Sequence, residues 1–311
     1  MSPSVVLVLA IARADDGPHL DLRIEAMVDL YYWVRKVAGA NEAPPRLAGF
    51  DDAVSAVGEL RSHLKSLLDW GVLEASAEDW RSSSEMARAW QQLDESLRAP
   101  AAHLARALGQ IEAAFRKDVW PGHRELLAAA AKEVEARLID KESECFAYMG
   151  DKLEIHLGDL EVPVYLVAEA PWPQGFTHVR EGGSGVCFVG LNGAQHTQFL
   201  ETILHEATHA LDVASTGSVF DDLRTQLEHA GVPRTSRVWH DAPHTLMFIQ
   251  AGETIRRIVD PGHQHYGDVA GYYPKVKRIA EVERAAWLAY LDGNTTRAEA
   301  VRTIVAQLAV K

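Results

Sequence analysis

The apolar positions of this chain follow two different spacings. From about Leu22 to Val37 they recur at helical intervals (Ile24, Met27, Val28, Tyr31, Val34), and the same spacing returns over Ala53–Trp70, Ala77–Leu97, Ala101–Lys117 and Arg124–Leu138. Pro44-Pro45 and Pro121-Gly122 punctuate these helical stretches. Near residue 160 the pattern shortens. Val162–Val167, Phe176–Val179 and Val186–Leu191 predict strands, and Gly182, Gly183 and Gly185 predict a hairpin turn between the last two. Helical spacing resumes over Thr197–Ala214, Phe220–His229, Thr245–Val259, Lys275–Leu291 and Arg297–Val310. The apolar run Val5–Ala12 predicts one further, buried strand at the start. The expected fold is mainly α with a small central β-sheet, an α+β chain. Residues 1–155 form a mostly helical N-terminal region opening with that strand, and residues 156–311 hold the sheet and the later helices. No Ser/Pro/Gly-rich linker marks the boundary, and no repeat period suggests a solenoid.

Composition narrows the choice of partners. The 311 residues are 47% hydrophobic and 24% charged, as in globular domains. The formal net charge of −13 disfavours nucleic acid and anionic lipid, and the densest basic run, Lys275, Lys277 and Arg278, is short. Val5–Ala12 lacks a preceding Lys or Arg, is followed at once by Arg13-Ala14-Asp15-Asp16, and is too short for a bilayer. A cytoplasmic protein without membrane or nucleic-acid partners is expected. Cys145 and Cys187 are expected as two reduced, buried thiols.

The chemistry concentrates in Thr202-Ile203-Leu204-His205-Glu206-Ala207-Thr208-His209-Ala210-Leu211-Asp212. On a helix, His205 and His209 project from one face a turn apart, as two ligands of one metal require. Neutral imidazole suits Zn²⁺, and Glu206 lies beside rather than on the metal, placed to take a proton from water. Ile203, Leu204, Ala207, Ala210 and Leu211 mark a helix buried on more than one side, where unpaired His and Glu would be costly.

This segment resembles the HExxH signature of the zincin metallopeptidases, with uncharged residues around the three functional ones and Leu211 closing it. The resemblance covers at most residues 160–260 and implies a zincin-like architecture with one zinc ion per chain. It also implies that an edge strand, here Gly185–Leu191, aligns an extended peptide by backbone pairing. Asp212 stands where the subgroup with a close third histidine has glycine, so the glutamate-ligand (gluzincin-like) subgroup is the nearer one. Its third ligand comes from a later helix, and Glu253 is the first choice. Arg257 stands where that subgroup often has an orienting aspartate, a role that Asp212 could take. The alternatives for third ligand are His244, then His240, and Glu253 would otherwise pair with Arg256 or Arg257. His244 and Glu253 are nine residues apart, half a turn out of phase, so one continuous helix does not aim both at one metal. With Glu253 on zinc, His244 becomes an oxyanion donor, and Tyr273 or Tyr272 a second one. His263 and His265 are expected to face solvent.

The implied activity is a zinc-dependent hydrolase, a metallopeptidase acting on peptide or peptide-like substrates with Glu206 as general base. Two alternatives stand beside it: a metalloenzyme acting on a non-peptide small molecule, and a non-catalytic zinc-containing binding protein.

Overall fold

A computed structural model of the chain describes residues 7–8, 18–40, 47–64, 70–155, 161–171, 174–179, 185–192, 196–214 and 217–310. The chain is mostly helical with one small mixed sheet, and it divides into two compact units. The first gathers Met1–Asp15, Leu20–Val134 and Glu161–Ala194, and the second Asp16–His19, Glu135–Leu160 and Gln195–Lys311. This differs from a single cut at residue 155. Strand residues Tyr165, Val167, Val186 and Phe188 join the hydrophobic core of the N-terminal helices, so the sheet goes with the first half of the chain.

In the first unit the strands β1 (Leu7–Val8), β2 (His19–Ile24), β3 (Glu161–Val167), β4 (Gly175–Val179) and β5 (Gly185–Gly190) lie in the order β1-β2-β3-β5-β4. Only Leu7 and Val8 of the expected N-terminal strand lie within the described residues, as does neither Gly182 nor Gly183 of the expected turn. β2 is a departure from the helix expected from Leu22. Leu20, Leu22 and Ile24 are buried while His19, Asp21 and Arg23 are less so, a period of two that only gives way to helix at Ala26. β5 corrects a second expectation. It runs parallel to β3 and antiparallel to β4, with every residue buried, so it is an interior strand and not an edge. The hairpin itself removes the edge, because β4 folds back along the side that an extended peptide would need.

The helices of this unit are α1 (Ala26–Gly39), α2 (Phe50–His63), α3 (Gly71–Glu74), α4 (Ser83–Ala89), α5 (Glu95–Asp118) and α6 (Trp120–Arg137). The division between units falls within α6. The single helix expected over Ala77–Leu97 is broken into α4, started by Ser82 accepting from the Glu85 N–H, and the first residues of α5. Tyr31, Trp33, Phe50, Trp80, Trp90 and Phe115 fill the core in edge-on and tilted ring pairs.

The second unit contains α7 (Glu142–Leu153), α8 (His196–Ala214), α9 (Val219–His229), α10 (Arg237–Thr254), α11 (Tyr266–Val269), α12 (Tyr272–Lys275), α13 (Lys277–Leu291) and α14 (Arg297–Leu308). α10 packs against both α8 and α13. It begins eight residues before the expected Thr245, because Ser236 caps the N-terminus by accepting from the Trp239 N–H. It passes at Thr254 into a π turn over Ile255–Val259. Among the described residues no helix is long and apolar enough to cross a membrane. Cys145 and Cys187 are both buried and neither is in a disulfide.

Candidate metal centre

α8 carries Phe199, Leu200, Ile203, Leu204, Ala207, Ala210 and Leu211 into the interior, so its polar residues are buried with them. Thr202 and Thr208 satisfy their hydroxyls by donating to the carbonyls of Gln198 and Leu204, at 3.1 and 2.7 Å. His205 has no such local partner. Its Nδ1 is buried without a hydrogen bond, and its Nε2 lies 3.2 Å from His209 Nε2, one turn along the same face. α10 brings a third imidazole to the same point, with His244 Nε2 also 3.2 Å from His205 Nε2. One turn further on, Phe248 stacks on the His205 ring, centroids 3.6 Å apart at 16°, and fixes its plane.

Three Nε2 atoms therefore converge in the second unit, with their ligand atoms all within 4.8 Å of one another. His205 Nε2 has a single lone pair or a single hydrogen, enough for one good hydrogen bond and not for both neighbours. A cation accepts all three lone pairs. Zn–N bonds of about 2.0–2.1 Å at tetrahedral angles put ligand nitrogens about 3.3–3.4 Å apart, and the two 3.2 Å separations match that spacing. Burial pushes all three histidines below their ordinary range. His205 lies well below it, helped by its two neighbours, His209 falls to about 3 and His244 to about 4. All three are neutral near pH 7 and available as ligands.

A hydrogen-bond chain sets the tautomer of His244. Thr245 Oγ1 donates to the Asp241 carbonyl at 2.7 Å, so it can only accept from Tyr272 Oη, 3.1 Å away. Tyr272 Oη then accepts from His244 Nδ1 at 3.3 Å. With its hydrogen on Nδ1, His244 presents a lone pair on Nε2. Burial raises the Tyr272 phenol to about 12, so it keeps the proton this chain requires.

Comparison with protein-family models, curated proteins and solved structures finds no match.

The geometry of the centre departs from the expected roles in four places. Glu253 does not join the histidine cluster. Its carboxylate takes hydrogen bonds from Arg256 at 2.7 Å, Arg257 at 3.0 Å and His265 at 3.1 Å. Burial alone would raise its pKa, but those three donors outweigh it and hold it at about 2. The nine-residue offset along α10 is the reason: with His244 aimed at α8, Glu253 points half a turn away. His244 has its Nε2 in the cluster and its Nδ1 on Tyr272, the place expected of it as the alternative third ligand rather than of a free oxyanion donor. Tyr273 is buried and bonds His265 Nδ1 at 3.3 Å, so Tyr272 is the tyrosine that reaches the cluster. His263 and His265 are buried, each against a carboxylate, Glu201 and Glu253. Gly252 makes room for the second, since a Cβ there would come within 2.7 Å of the His265 ring. His240 is exposed beside Trp239, and Asp212 accepts from the Ser218 hydroxyl with Arg224 3.8 Å away.

Glu206 is 5% exposed and follows His205 on α8, about 100° round the helix. Its charge, after burial and Glu201, helps raise the Tyr266 phenol to about 12, which locates Tyr266 near it. The Tyr266 ring stacks on Phe248 at 14°, and its backbone N–H is held by Glu201 Oε2 at 2.6 Å. Sequence reasoning gave no role to Glu201, Phe248 or Tyr266. For two of them the available signals were i,i+4 pairs, Glu201 with His205 and His244 with Phe248, which share a helix face; Tyr266 had no such signal.

Proposed function

We propose that the chain is a zinc-dependent hydrolase of peptide or peptide-like amide bonds, with His205, His209 and His244 as the metal ligands and Glu206 as general base. The observation that carries this reading is the convergence of three neutral imidazole Nε2 atoms, two of them on the helix that also carries the buried Glu206. Zinc in a three-histidine site supplies Lewis acidity and a nucleophilic water at neutral pH. Glu206 accepts the proton from the attacking water and returns it to the departing nitrogen. Phe248 holds the His205 ring, Tyr272 holds the His244 tautomer, and Tyr266 stands beside Glu206 as a protonated phenol able to donate to a developing oxyanion.

A second reading keeps the metal and exchanges the peptide for a small non-peptide substrate. One observation favours it: β5 is paired on both sides and offers no free edge to an extended chain. Glu206→Gln tests both readings. Zinc content and fold should be retained while hydrolysis of a peptide library or of small amides and esters is lost. Turnover equal to wild type would exclude Glu206 as the base.

A further inference from the structure

The first unit holds a feature that the histidine centre does not use. A cavity of about 590 Å³ opens beside the end of α1, lined by Arg35, Lys36, Arg61, Trp70, Gln174 and Asn192 among small residues. That volume is in the usual range for small-molecule sites. Three of its described lining residues are cationic and none is acidic, in a chain whose net charge is −13.

Arg35 is the buried member. Its guanidinium lies 4.0 Å from the Trp70 ring centroid and 5.2 Å from those of Tyr31 and Tyr32. Nη1 bonds Glu74, which is wholly buried, and lies 3.5 Å from Tyr31 Oη. Nε and Nη2 bond no described residue. The aromatic cage and Glu74 therefore fix the guanidinium plane while leaving one edge of the fork unused by any described residue. Arg61 is exposed and bonds no described residue through its side chain; it lies over Gly39, where a Cβ would meet Arg61 Nη2 at 3.5 Å. Lys36 shares its charge with Glu169 at 2.9 Å. Glu74 and Glu169 offset two of the three cations, and no described acid pairs with Arg61.

The rim of the cavity is held in uncommon backbone conformations. Three non-glycine residues among those described have positive φ, and two of them, Gln174 at 78° and Asn192 at 40°, line this cavity. Such conformations persist where surrounding contacts impose them. Here Asn192 clamps the Ala170 backbone, accepting from its N–H and donating to its carbonyl, both at 2.7 Å. The Gln174 carbonyl accepts from the Gly190 N–H at 2.7 Å.

We infer that this cavity is a binding site for a small organic anion, its carboxylate or phosphate oxygens held by Arg35 and Arg61 and its body against Trp70. The open edge of Arg35 offers two N–H groups in the fork spacing that carboxylate and phosphate match. Arg61 closes on the ligand from the solvent side, and the small residues of the lining leave room for an organic body.

Calorimetric titration at constant ionic strength in chloride tests this, with benzoate as the carboxylate probe and inorganic phosphate as the other. The comparison is between wild type, Arg61→Gln and the exposed Arg106→Gln on α5. Arg61 is exposed and its side chain bonds no described residue, so Arg61→Gln is expected to keep the fold, which circular dichroism checks. Wild type should bind at least one probe, and the stronger probe identifies the headgroup. Arg61→Gln should weaken binding about tenfold or more, the loss of one charge-assisted hydrogen bond, and Arg106→Gln should leave it unchanged. No binding of either probe up to about 10 mM would overturn the inference. So would binding that Arg61→Gln does not weaken, or that Arg106→Gln weakens as much.

Discussion

Tyr272 Oη lies 3.3 Å from His244 Nδ1, and that contact decides which nitrogen of His244 faces the other two imidazoles. The chain ends on a backbone carbonyl through Thr245, so its direction is fixed. Removing the phenol hydroxyl frees the tautomer without touching a ligand atom. Tyr272→Phe should weaken zinc binding about 10- to 100-fold, the usual cost of losing such an outer partner, in a competition titration against a chelator. Affinity equal to wild type would mean that Tyr272 does not orient His244.

Glu206 and the ligands should separate in their effects. Glu206→Gln keeps the side-chain shape and adds no charge, so zinc stoichiometry should stay at wild-type level. Turnover should fall about 10²- to 10⁴-fold, the contribution of a positioned base. Steady-state kinetics with zinc assayed on the same samples reads both at once.

Glu253 should matter for stability. It is buried with three donors on its carboxylate. Glu253→Ala strips Arg256 of its carboxylate and leaves Arg257 with Asp292 and His265 with Tyr273, and should cost roughly 3 kcal/mol, toward the low end for buried pairs because both arginines are partly exposed and Arg257 keeps its second acid. Urea unfolding of the zinc-free protein measures it. A loss under about 0.5 kcal/mol, the level of an ordinary surface substitution, would contradict the structural role.

Acid should weaken the zinc-free fold more than it weakens metal binding by the folded state. Burial keeps His205, His209 and His244 unprotonated well below the ordinary histidine range, His209 down to about 3 and His244 down to about 4, whereas the unfolded chain protonates each at about 6.5. The unfolded state binds more protons in that window, so stability is greatest above it and declines as pH falls through it. Each histidine contributes a slope of up to about 1.4 kcal/mol per pH unit. His244→Ala should flatten the dependence measured by chemical denaturation between pH 8 and pH 5. A slope unchanged in that variant would show that His244 titrates normally in the folded state.

The helix bearing His205, Glu206 and His209 was legible because its apolar residues and its functional ones share a single period. Most other helices and strands β3, β4 and β5 were legible for the same reason. The third member of the cluster was not. His244 and Glu253 sit on the same helix, and local sequence cannot say which face of α10 meets α8; that is settled by where Ser236 starts the helix and by how α10 packs. β2 was obscured because Leu22 and Ile24 fit a strand and the start of α1 equally well. The role of β5 was hidden for another reason: strand order is a long-range property, and only the sheet shows that β4 covers its edge. Buried His263 and His265 looked like loop residues because their partners, Glu201 and Glu253, lie 62 and 12 residues away.

The most direct test of the central claim is the zinc content and zinc-edge X-ray absorption of the purified protein, with His244→Ala and Glu253→Gln beside it. Wild type should hold close to one zinc per chain, with a first shell dominated by imidazole nitrogen at about 2.0–2.1 Å. His244→Ala should lose that metal and Glu253→Gln should keep it. Zinc retained in His244→Ala and lost in Glu253→Gln, or no zinc in wild type even after repletion, would contradict the three-histidine centre.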